Sequence, residues 1–187
     1  MADAVNAQSV SPLGGASFEG FAKVREIGPL GMISLRAKRD VPGLEGAFAS
    51  LGLALPEQRR ITGTTAKGAG WMSPDEYLIL VPYAEVSGAL ANLAQALKGS
   101  HHLAVDVSDA RAVFRIEGEK AGQVVAKLGP IDVASLAPNE LRRSRAAQVA
   151  AAVWAEEGGF TLVCFRSVAA YVMGLLTASA APGAELA

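Results

Sequence analysis

The densest group of polar side chains in this sequence is the segment Asp106-Val-Ser108-Asp109-Ala-Arg111. Two carboxyl groups three residues apart, beside an arginine, could perform acid–base catalysis if a buried pocket shifted one of their pKa values. The alternative is a turn between two strands, in which the Asp and Ser side chains close backbone hydrogen bonds and Arg111 pairs locally. We favour the turn, because no nucleophile or histidine accompanies the cluster.

A second candidate is the glycine-rich segment Gly63-Thr-Thr-Ala-Lys67-Gly68-Ala-Gly70. A phosphate-binding P-loop needs a lysine followed directly by Ser or Thr at the start of a helix, whereas Gly68 follows Lys67 here. The dinucleotide-binding fingerprint also fails, because Ser73 stands where its third glycine is required. The segment therefore predicts a flexible surface hairpin and no nucleotide site.

The remaining reactive side chains are few. His101 and His102 are adjacent, so on a strand they point to opposite faces and cannot easily bind one metal ion. Cys164 lies in an apolar strand, where its thiolate is disfavoured. The cluster Arg142-Arg143-Ser144-Arg145 lies beside Glu140 and predicts a solvated loop or, alternatively, a contact with an acidic partner surface. No catalytic, cofactor-binding or metal-binding residue is expected.

The composition excludes several classes of protein. Of the 187 residues, 51% are apolar and 19% charged, and 17 basic against 18 acidic residues give a net charge of −1. This balance excludes intrinsic disorder and a basic nucleic-acid-binding surface. One cysteine excludes a disulfide framework. The longest apolar runs, at 146–155 and 168–176, are too short to span a membrane, and the first twenty residues lack the features of a signal peptide. We therefore expect a cytoplasmic protein with no nucleic-acid or membrane partner.

These side chains must be positioned by regular elements, and the first half of the chain alternates strand and helix patterns. Met32–Lys38 alternates as a strand. A helix is expected around Pro42, with Asp40 as its cap and Gly52 as its end. Four further elements are predicted: a strand with an irregular loop at 58–70, a turn at 71–76 centred on Pro74-Asp75, a buried strand at Tyr77–Val81, and a helix with Val86, Leu90, Leu93 and Leu97 on one face. A last strand would turn Leu103, Val105 and Val107 inward.

The second half repeats this pattern. Ala112, Phe114 and Ile116 form one face of a strand, with Arg111 and Arg115 on the other. A helix is predicted at Lys120–Leu128 and a loop at Asp132–Ser144. Gln148–Trp154 and Phe160–Phe165 predict a hairpin. Ser167 is expected to cap a last helix whose buried stripe is Tyr171, Val172, Leu175 and Leu176.

Each half is thus strand–helix–strand–strand–helix, which predicts an α+β fold of two pseudo-duplicated lobes. Trp71 and Trp154 lie 83 positions apart, and so do Tyr77 and Phe160. We expect a flexible N-terminal arm at 1–22, a single domain at 23–178 with lobes at about 31–107 and 108–178, and a flexible tail at 179–187.

Three motifs in this order resemble the gamma subunit of heterotetrameric sarcosine oxidase. They are Trp71-x-x-Pro-Asp-Glu-x-Leu78, Asp106-Val-Ser-Asp-x-Arg111-Ala-x-x-Arg-Ile116 and Phe160-x-Leu-x-x-x-Arg166-Ser-x-Ala169-x-Tyr171. Leu35-Arg36 and Leu51-Gly-Leu53-x-Leu-Pro56 agree with the same family. The resemblance extends from about Met32 to Leu176.

The resemblance implies a non-catalytic structural subunit of a complex that oxidises sarcosine to glycine. In that family a one-carbon unit passes to tetrahydrofolate or leaves as formaldehyde, and hydrogen peroxide forms. The resemblance also implies alpha, beta and delta partner subunits, with FAD, FMN, NAD and tetrahydrofolate held by the partners and none by this chain. It marks as motif or interface candidates Trp71, Asp75, Glu76, Asp106, Ser108, Asp109, Arg111, Arg166 and Ser167.

The segment from Asp106 to Val133 is also similar to the start of the folate-binding domain of aminomethyltransferases. Members of that group carry paired aspartates before a strand that corresponds to Val149–Trp154, and this chain has Ala147-Gln148 there. A Lys-Gly-Cys motif of a related folate protein is also absent from the sequence. These departures favour the structural subunit. The alternative is a stand-alone tetrahydrofolate-binding module or an aminomethyltransferase-like protein.

Overall fold

The computed structural model describes residues 9–186, which form eleven β-strands and four α-helices in a mixed α/β arrangement. The predicted fold class is confirmed. The strands are β1 Ser17–Glu19, β2 Lys23–Ile27, β3 Gly31–Arg36, β4 Ile61–Gly63, β5 Gly68–Ser73, β6 Glu76–Val81, β7 Leu103–Asp106, β8 Arg111–Glu117, β9 Leu141–Ala146, β10 Val149–Glu156 and β11 Gly159–Phe165. The helices are α1 Leu44–Ser50, α2 Val86–Ala96, α3 Ala121–Leu128 and α4 Ala169–Ala180.

The strands make two antiparallel sheets, each covered by two helices. The first sheet has the order β4-β5-β6-β3-β7, and the apolar stripes of α1 and α2 pack on it around Phe48, Leu93 and Leu97. The Phe48 and Tyr77 rings meet edge to face, with centroids 5.4 Å apart. The second sheet has the order β1-β2-β8-β11-β10-β9 and is covered by α3 and α4.

The uncovered faces of the two sheets pack against each other, so the molecule has four layers: helices, sheet, sheet, helices. Trp154, 1% exposed, is the largest fully buried side chain of this inter-sheet core. The other buried members are Met32, Ile61, Leu78, Leu80, Val113, Leu141, Ala152 and Val163. An isolated antiparallel bridge between Arg60 and Glu140 joins the two sheets where β4 and β9 meet.

The two sheets repeat one topology, which supports the predicted duplication. The predicted repeat unit is one strand short: in both sheets a strand, a helix, three further strands and a second helix follow in sequence, and the central order β4-β5-β6-β3 corresponds to β9-β10-β11-β8. The lobes are not two consecutive segments, however. β2, which precedes the predicted first lobe, pairs with β8 and holds the place in the second sheet that β7 holds in the first.

The two tryptophans lie in corresponding strands but do not occupy equivalent positions. Trp71 pairs with Tyr77 and packs on the helix side of its sheet, whereas Trp154 pairs with Thr161 and packs between the sheets. A bulge between Trp71 and Ser73 shifts the register of β5, and one residue of shift turns a side chain to the other face. Tyr77 and Phe160 do match, since both lie on the helix side of their sheets.

Several predicted elements are confirmed within small shifts of their ends: the strands β3, β6 and β8, the helices α2 and α3, and the β10–β11 hairpin. The glycine-rich segment forms the predicted hairpin, β4 and β5, with Gly63 at φ 76°. The turn at Pro74-Asp75 is also confirmed, although Trp71 to Ser73 belong to the strand before it.

Three predictions about helices are wrong. α1 begins at Leu44, after Gly43 in the left-handed conformation, so Pro42 lies before the helix and Asp40 does not cap it. α4 is preceded by a 3-10 turn at Arg166–Val168, which places Ser167 ahead of the helix with no side-chain cap. Tyr171 is 43% exposed and does not belong to the buried stripe of α4.

Two predictions about strands are also wrong. The end of the loop predicted at Asp132–Ser144 is instead the start of β9, a strand that pairs with β10 and on which Arg143 and Arg145 are exposed. Leu103 and Val105 are 58% and 42% exposed and do not face inward, because β7 is an edge strand whose opposite face, at Ala104, packs towards the helices. Val107, just after the strand, does pack against the inter-sheet core as predicted.

Regular structure extends into both predicted terminal segments. β1 lies within the predicted arm and pairs with β2, and α4 continues to Ala180, which is fully buried. The flexibility of the two termini remains a prediction, and its parts at residues 1–8 and 187 lie outside the described residues. None of the helices within residues 9–186 has the length and apolarity needed to cross a membrane.

Candidate functional site: the inter-sheet cleft and the crossover beside it

The chain crosses from the first sheet to the second at a 3-10 turn formed by Ser108–Ala110. Asp106 Oδ1 accepts hydrogen bonds from the Ser108 backbone N–H at 2.9 Å and from its hydroxyl at 2.5 Å. Ser108 Oγ, which is buried, accepts a bond from the Met32 N–H at 2.9 Å. These contacts tie the end of β7 to the start of β3. The favoured interpretation of the Asp106–Arg111 cluster as a turn is confirmed.

Asp109, the central residue of this turn, bonds to two other segments of the chain. Its carboxylate accepts hydrogen bonds from Ser9 Oγ at 2.6 Å and from Tyr83 Oη at 2.8 Å. Both bonds, that of Ser9 first, lower the pKa of Asp109. Arg166 Nη1 donates to the Val10 carbonyl at 2.8 Å. Asp109 and Arg166 therefore fasten the segment at residues 9–10 against the crossover.

Arg111 does not pair with either aspartate of its motif, contrary to the local pair that the sequence predicted. Its guanidinium carbon lies 4.2 Å from the centroid of the Phe165 ring. Burial lowers the pKa of Arg111, because desolvation disfavours its charged form. No carboxylate of residues 9–186 lies within 4.0 Å of this guanidinium. Arg111 is thus a half-buried cation with an aromatic neighbour and no acidic partner.

Glu76 joins the two sheets through its carboxylate. Its Oε2 lies 3.2 Å from Arg36 Nη2 on β3 and 2.8 Å from Arg143 Nη1 on β9. Asp75, in the adjacent turn, accepts a hydrogen bond from Ser73 Oγ at 2.9 Å and lies 3.5 Å from Arg36 Nη1. The Ser73 bond is the main cause that lowers the pKa of Asp75. Asp75 and Glu76 therefore both pair with Arg36, and Glu76 also pairs with Arg143.

Glu76, Arg111 and Arg143 border a small open cavity of about 50 Å³ between the sheets. We name it the inter-sheet cleft and define it by Glu76, Arg111, Arg143, Cys164 and Phe165, all of which line it. It contains an acid, two arginines and a buried thiol, but no histidine. Its volume is far below the roughly 300–1,000 Å³ of a pocket that encloses a small-molecule ligand.

The thiol of Cys164 can be tested by alkylation. Its side chain is 3% exposed, and desolvation raises its pKa to about 11. At pH 8 only about one molecule in a thousand would hold the reactive thiolate. We expect iodoacetamide to leave the folded chain unlabelled at pH 8 and to label it once after unfolding, as measured by intact mass. Rapid stoichiometric labelling of the folded chain would contradict this assignment.

A second, larger depression of about 610 Å³ lies between the β4–β5 hairpin and the loops at 138–139 and 156–157. Its polar wall is an internal network. Arg115, 7% exposed, lies 3.2 Å from Glu156 in an ion pair, and Thr65 Oγ1 donates to Glu156 at 2.9 Å. Thr161 also donates to Glu156. Because Thr65 belongs to the first lobe and Glu156 to the second, these bonds connect the lobes.

The structure brings most of the predicted motif residues together. Asp106, Ser108, Asp109, Arg111 and Arg166 surround the crossover. Glu76 lines the inter-sheet cleft together with Arg111, and Asp75 shares Arg36 with Glu76. Ser167 is exposed without a capping role, and Trp71 packs against the helices of the first sheet. Among residues 9–186, no group of three or more His, Cys, Asp or Glu side chains is arranged to hold a metal ion.

Sequence reasoning missed Arg143 and Phe165 as residues of this site. The sequence predicts a loop at Arg143, because three arginines in 141–146 conceal the alternation that makes β9 a strand. Phe165 was predicted as the end of a hairpin strand, yet it is 49% exposed beside Arg111. The detectable signal was the odd-numbered series Leu141, Arg143 and Arg145, which shares one face of a strand.

Comparisons with known proteins agree with this architecture. A chain of the heterotetrameric sarcosine oxidase from Corynebacterium sp. U-96, solved in complex with pyrrole 2-carboxylate, superposes with a TM-score of 0.80; it is 22% identical, and the match covers 91% of this chain and 94% of that one. The glycine cleavage system aminomethyltransferase T from Bartonella henselae matches with a TM-score of 0.65 and 12% identity over 91% of this chain and 57% of that one. Both likenesses show the fold.

The comparison of sequences identifies the family of this chain. No curated protein sequence matches the chain. The model of the sarcosine oxidase, gamma subunit family matches residues 40–181, which is most of the 187 residues and includes all three motifs that carried the resemblance. This chain belongs to the sarcosine oxidase gamma subunit family.

Proposed function

We propose that this chain is the non-catalytic structural subunit of a cytoplasmic heterotetrameric sarcosine oxidase, assembled with alpha, beta and delta subunits. The observation that carries the proposal is the family match over residues 40–181. The reaction is the oxidation of sarcosine to glycine, with transfer of the one-carbon unit to tetrahydrofolate and formation of hydrogen peroxide. FAD, FMN, NAD and the folate belong to the partner subunits in this proposal.

The side-chain chemistry supports a structural role. Asp106 and Ser108 close the crossover, Asp109 and Arg166 hold the segment at residues 9–10, and Glu76 joins the two sheets. The one cysteine is buried with a raised pKa. Most polar groups of the family motifs therefore have an internal partner or contact, Ser167 and Tyr171 on the surface excepted, and the bonded groups contribute to the shape that the complex recognises. The likeness to an aminomethyltransferase is at 12% identity and concerns the fold.

Affinity purification from the native host tests this proposal. A tagged full-length chain is expected to recover three further polypeptides and the visible absorption bands of bound flavin, and the eluate should oxidise sarcosine with oxygen uptake. The chain purified alone after separate expression should show no flavin absorption. Recovery of the folded, tagged chain without any flavoprotein would refute the proposal.

A further inference from the structure

The edge of the first sheet is open at β7. Within residues 9–186 this strand pairs only with β3, and three of its four residues are exposed. Leu103 and Val105 are 58% and 42% exposed and lie on the same face, because they are two residues apart on a strand. Proteins usually protect such an edge with charges, proline or a covering element, since an exposed apolar edge strand invites pairing with another chain. Apart from Asp106, whose carboxylate accepts hydrogen bonds from Ser108, the side chains of β7 are apolar.

The backbone of β7 has hydrogen-bonding groups free for a further strand. The Val107 N–H donates to the Met32 carbonyl at 2.9 Å, and the register pairs Val105 with Ser34 and Leu103 with Arg36. In an antiparallel ladder the residues that exchange bonds with one neighbour alternate with residues whose N–H and C=O point the other way. The backbone groups of Ala104 and Asp106 therefore point away from β3, toward the open edge.

The exposed face of β7 is linked to the inter-sheet cleft through Arg36. Leu103 is the cross-strand partner of Arg36, whose guanidinium lies 3.2 Å from Glu76 in the cleft. Arg111 and Phe165 lie in the same cleft, and Phe165 is 49% exposed. An open strand edge with apolar side chains therefore lies near an arginine that lacks an acidic partner among residues 9–186.

We propose that β7 is the docking strand of this subunit: an extended segment of a partner subunit of the oxidase pairs with its open edge and covers Leu103 and Val105. The partner segment carries apolar residues toward these two side chains and a carboxylate that reaches Arg111. Main-chain bonds at Ala104 and Asp106 supply the register, and the side chains supply specificity. This inference rests on the proposed function, because it takes the occupant from the complex.

The experiment compares variants of the tagged chain co-expressed with the partner subunits of its host. The double variant Leu103→Gln, Val105→Lys removes the apolar face and adds the charge that edge strands use against pairing. Ala104→Pro keeps both side chains and removes one outward N–H. Tyr171→Lys is the matched control, because it places a lysine at a residue of 43% exposure on α4. Circular dichroism and thermal unfolding of each isolated chain establish that it is folded.

We expect the double variant to recover about tenfold less partner per tagged chain than the wild type, and Tyr171→Lys to recover as much as the wild type. If Ala104→Pro folds, its recovery should fall as well. Wild-type recovery by the folded double variant would overturn the docking inference while leaving the proposed function intact. A wild-type chain that recovers no partner would overturn both. A wild-type chain that forms a dimer when isolated, lost in the double variant while partner recovery is kept, would assign β7 to a second copy and also overturn the inference.

Discussion

Replacing Trp154 by alanine is expected to lower the free energy of unfolding by about 3–5 kcal/mol. The indole is 1% exposed and lies between the two sheets, where Met32 and Leu80 belong to the same buried cluster. A cavity there cannot collapse easily, because two paired sheets enclose it on both sides. A domain of this size is stable by only about 5–15 kcal/mol, so the variant would lose a large part of its stability.

Urea unfolding followed by far-ultraviolet circular dichroism measures this change, since the substitution removes one of only two tryptophans that fluorescence would report. Trp154→Phe is the control. The indole N–H has no hydrogen-bond partner among residues 9–186, so phenylalanine loses volume but no such bond and should cost less than half as much. A Trp154→Ala change of less than about 1 kcal/mol would contradict the buried inter-sheet position.

Gly159→Ala is expected to destabilise the protein by about 3 kcal/mol or more, through contact and backbone strain. Gly159 begins β11 at φ 153°, a conformation that side-chain-bearing residues rarely adopt. A Cβ at this position would lie 2.0 Å from the carbonyl oxygen of Ile116 on the neighbouring strand β8. Neither strand can yield, because β8 and β11 are the two central strands of the second sheet.

Gly174→Ala provides the matched control. It makes the same chemical change within α4, where a Cβ would meet nothing within 4 Å. Alanine forms helices more readily than glycine, so this variant should be up to about 1 kcal/mol more stable than the wild type. Thermal unfolding of both variants measures the difference. Equal stabilities for Gly159→Ala and Gly174→Ala would contradict the close approach of β11 to β8.

Much of the fold could be predicted because its elements have clear periods. Phe114 and Ile116 alternate on β8, and Val124, Val125 and Leu128 recur at helical spacing on α3. β9 was missed because its inward residues are separated by three arginines. The sequence predicts the wrong buried face for β7, because alternation marks an apolar face but does not say whether another layer covers it. Only the strand order shows that β7 is an edge.

Part of the candidate site could also be predicted, because some of its residues are close together in the sequence. Asp106, Ser108 and Arg111 lie close together in sequence, so a local turn could be inferred, and its hydrogen bonds confirm it. The contact between Glu76 and Arg143 joins residues of different sheets, and no local spacing encodes it. Matching residues of the two halves by a constant spacing in the sequence also has limits. The 83-residue spacing relates Tyr77 to Phe160 but fails for the tryptophans, where a bulge changes the register.

The mass of the assembly that contains this chain tests the central claim most directly. Native mass spectrometry of material purified through a tag on the full-length chain, from its natural host, determines the number of subunits and their copy numbers. We predict one copy of this 19.2 kDa chain with one copy each of three other polypeptides, together with the masses of bound flavins. A chain found alone, or only with further copies of itself, would contradict its assignment as a structural subunit of the oxidase.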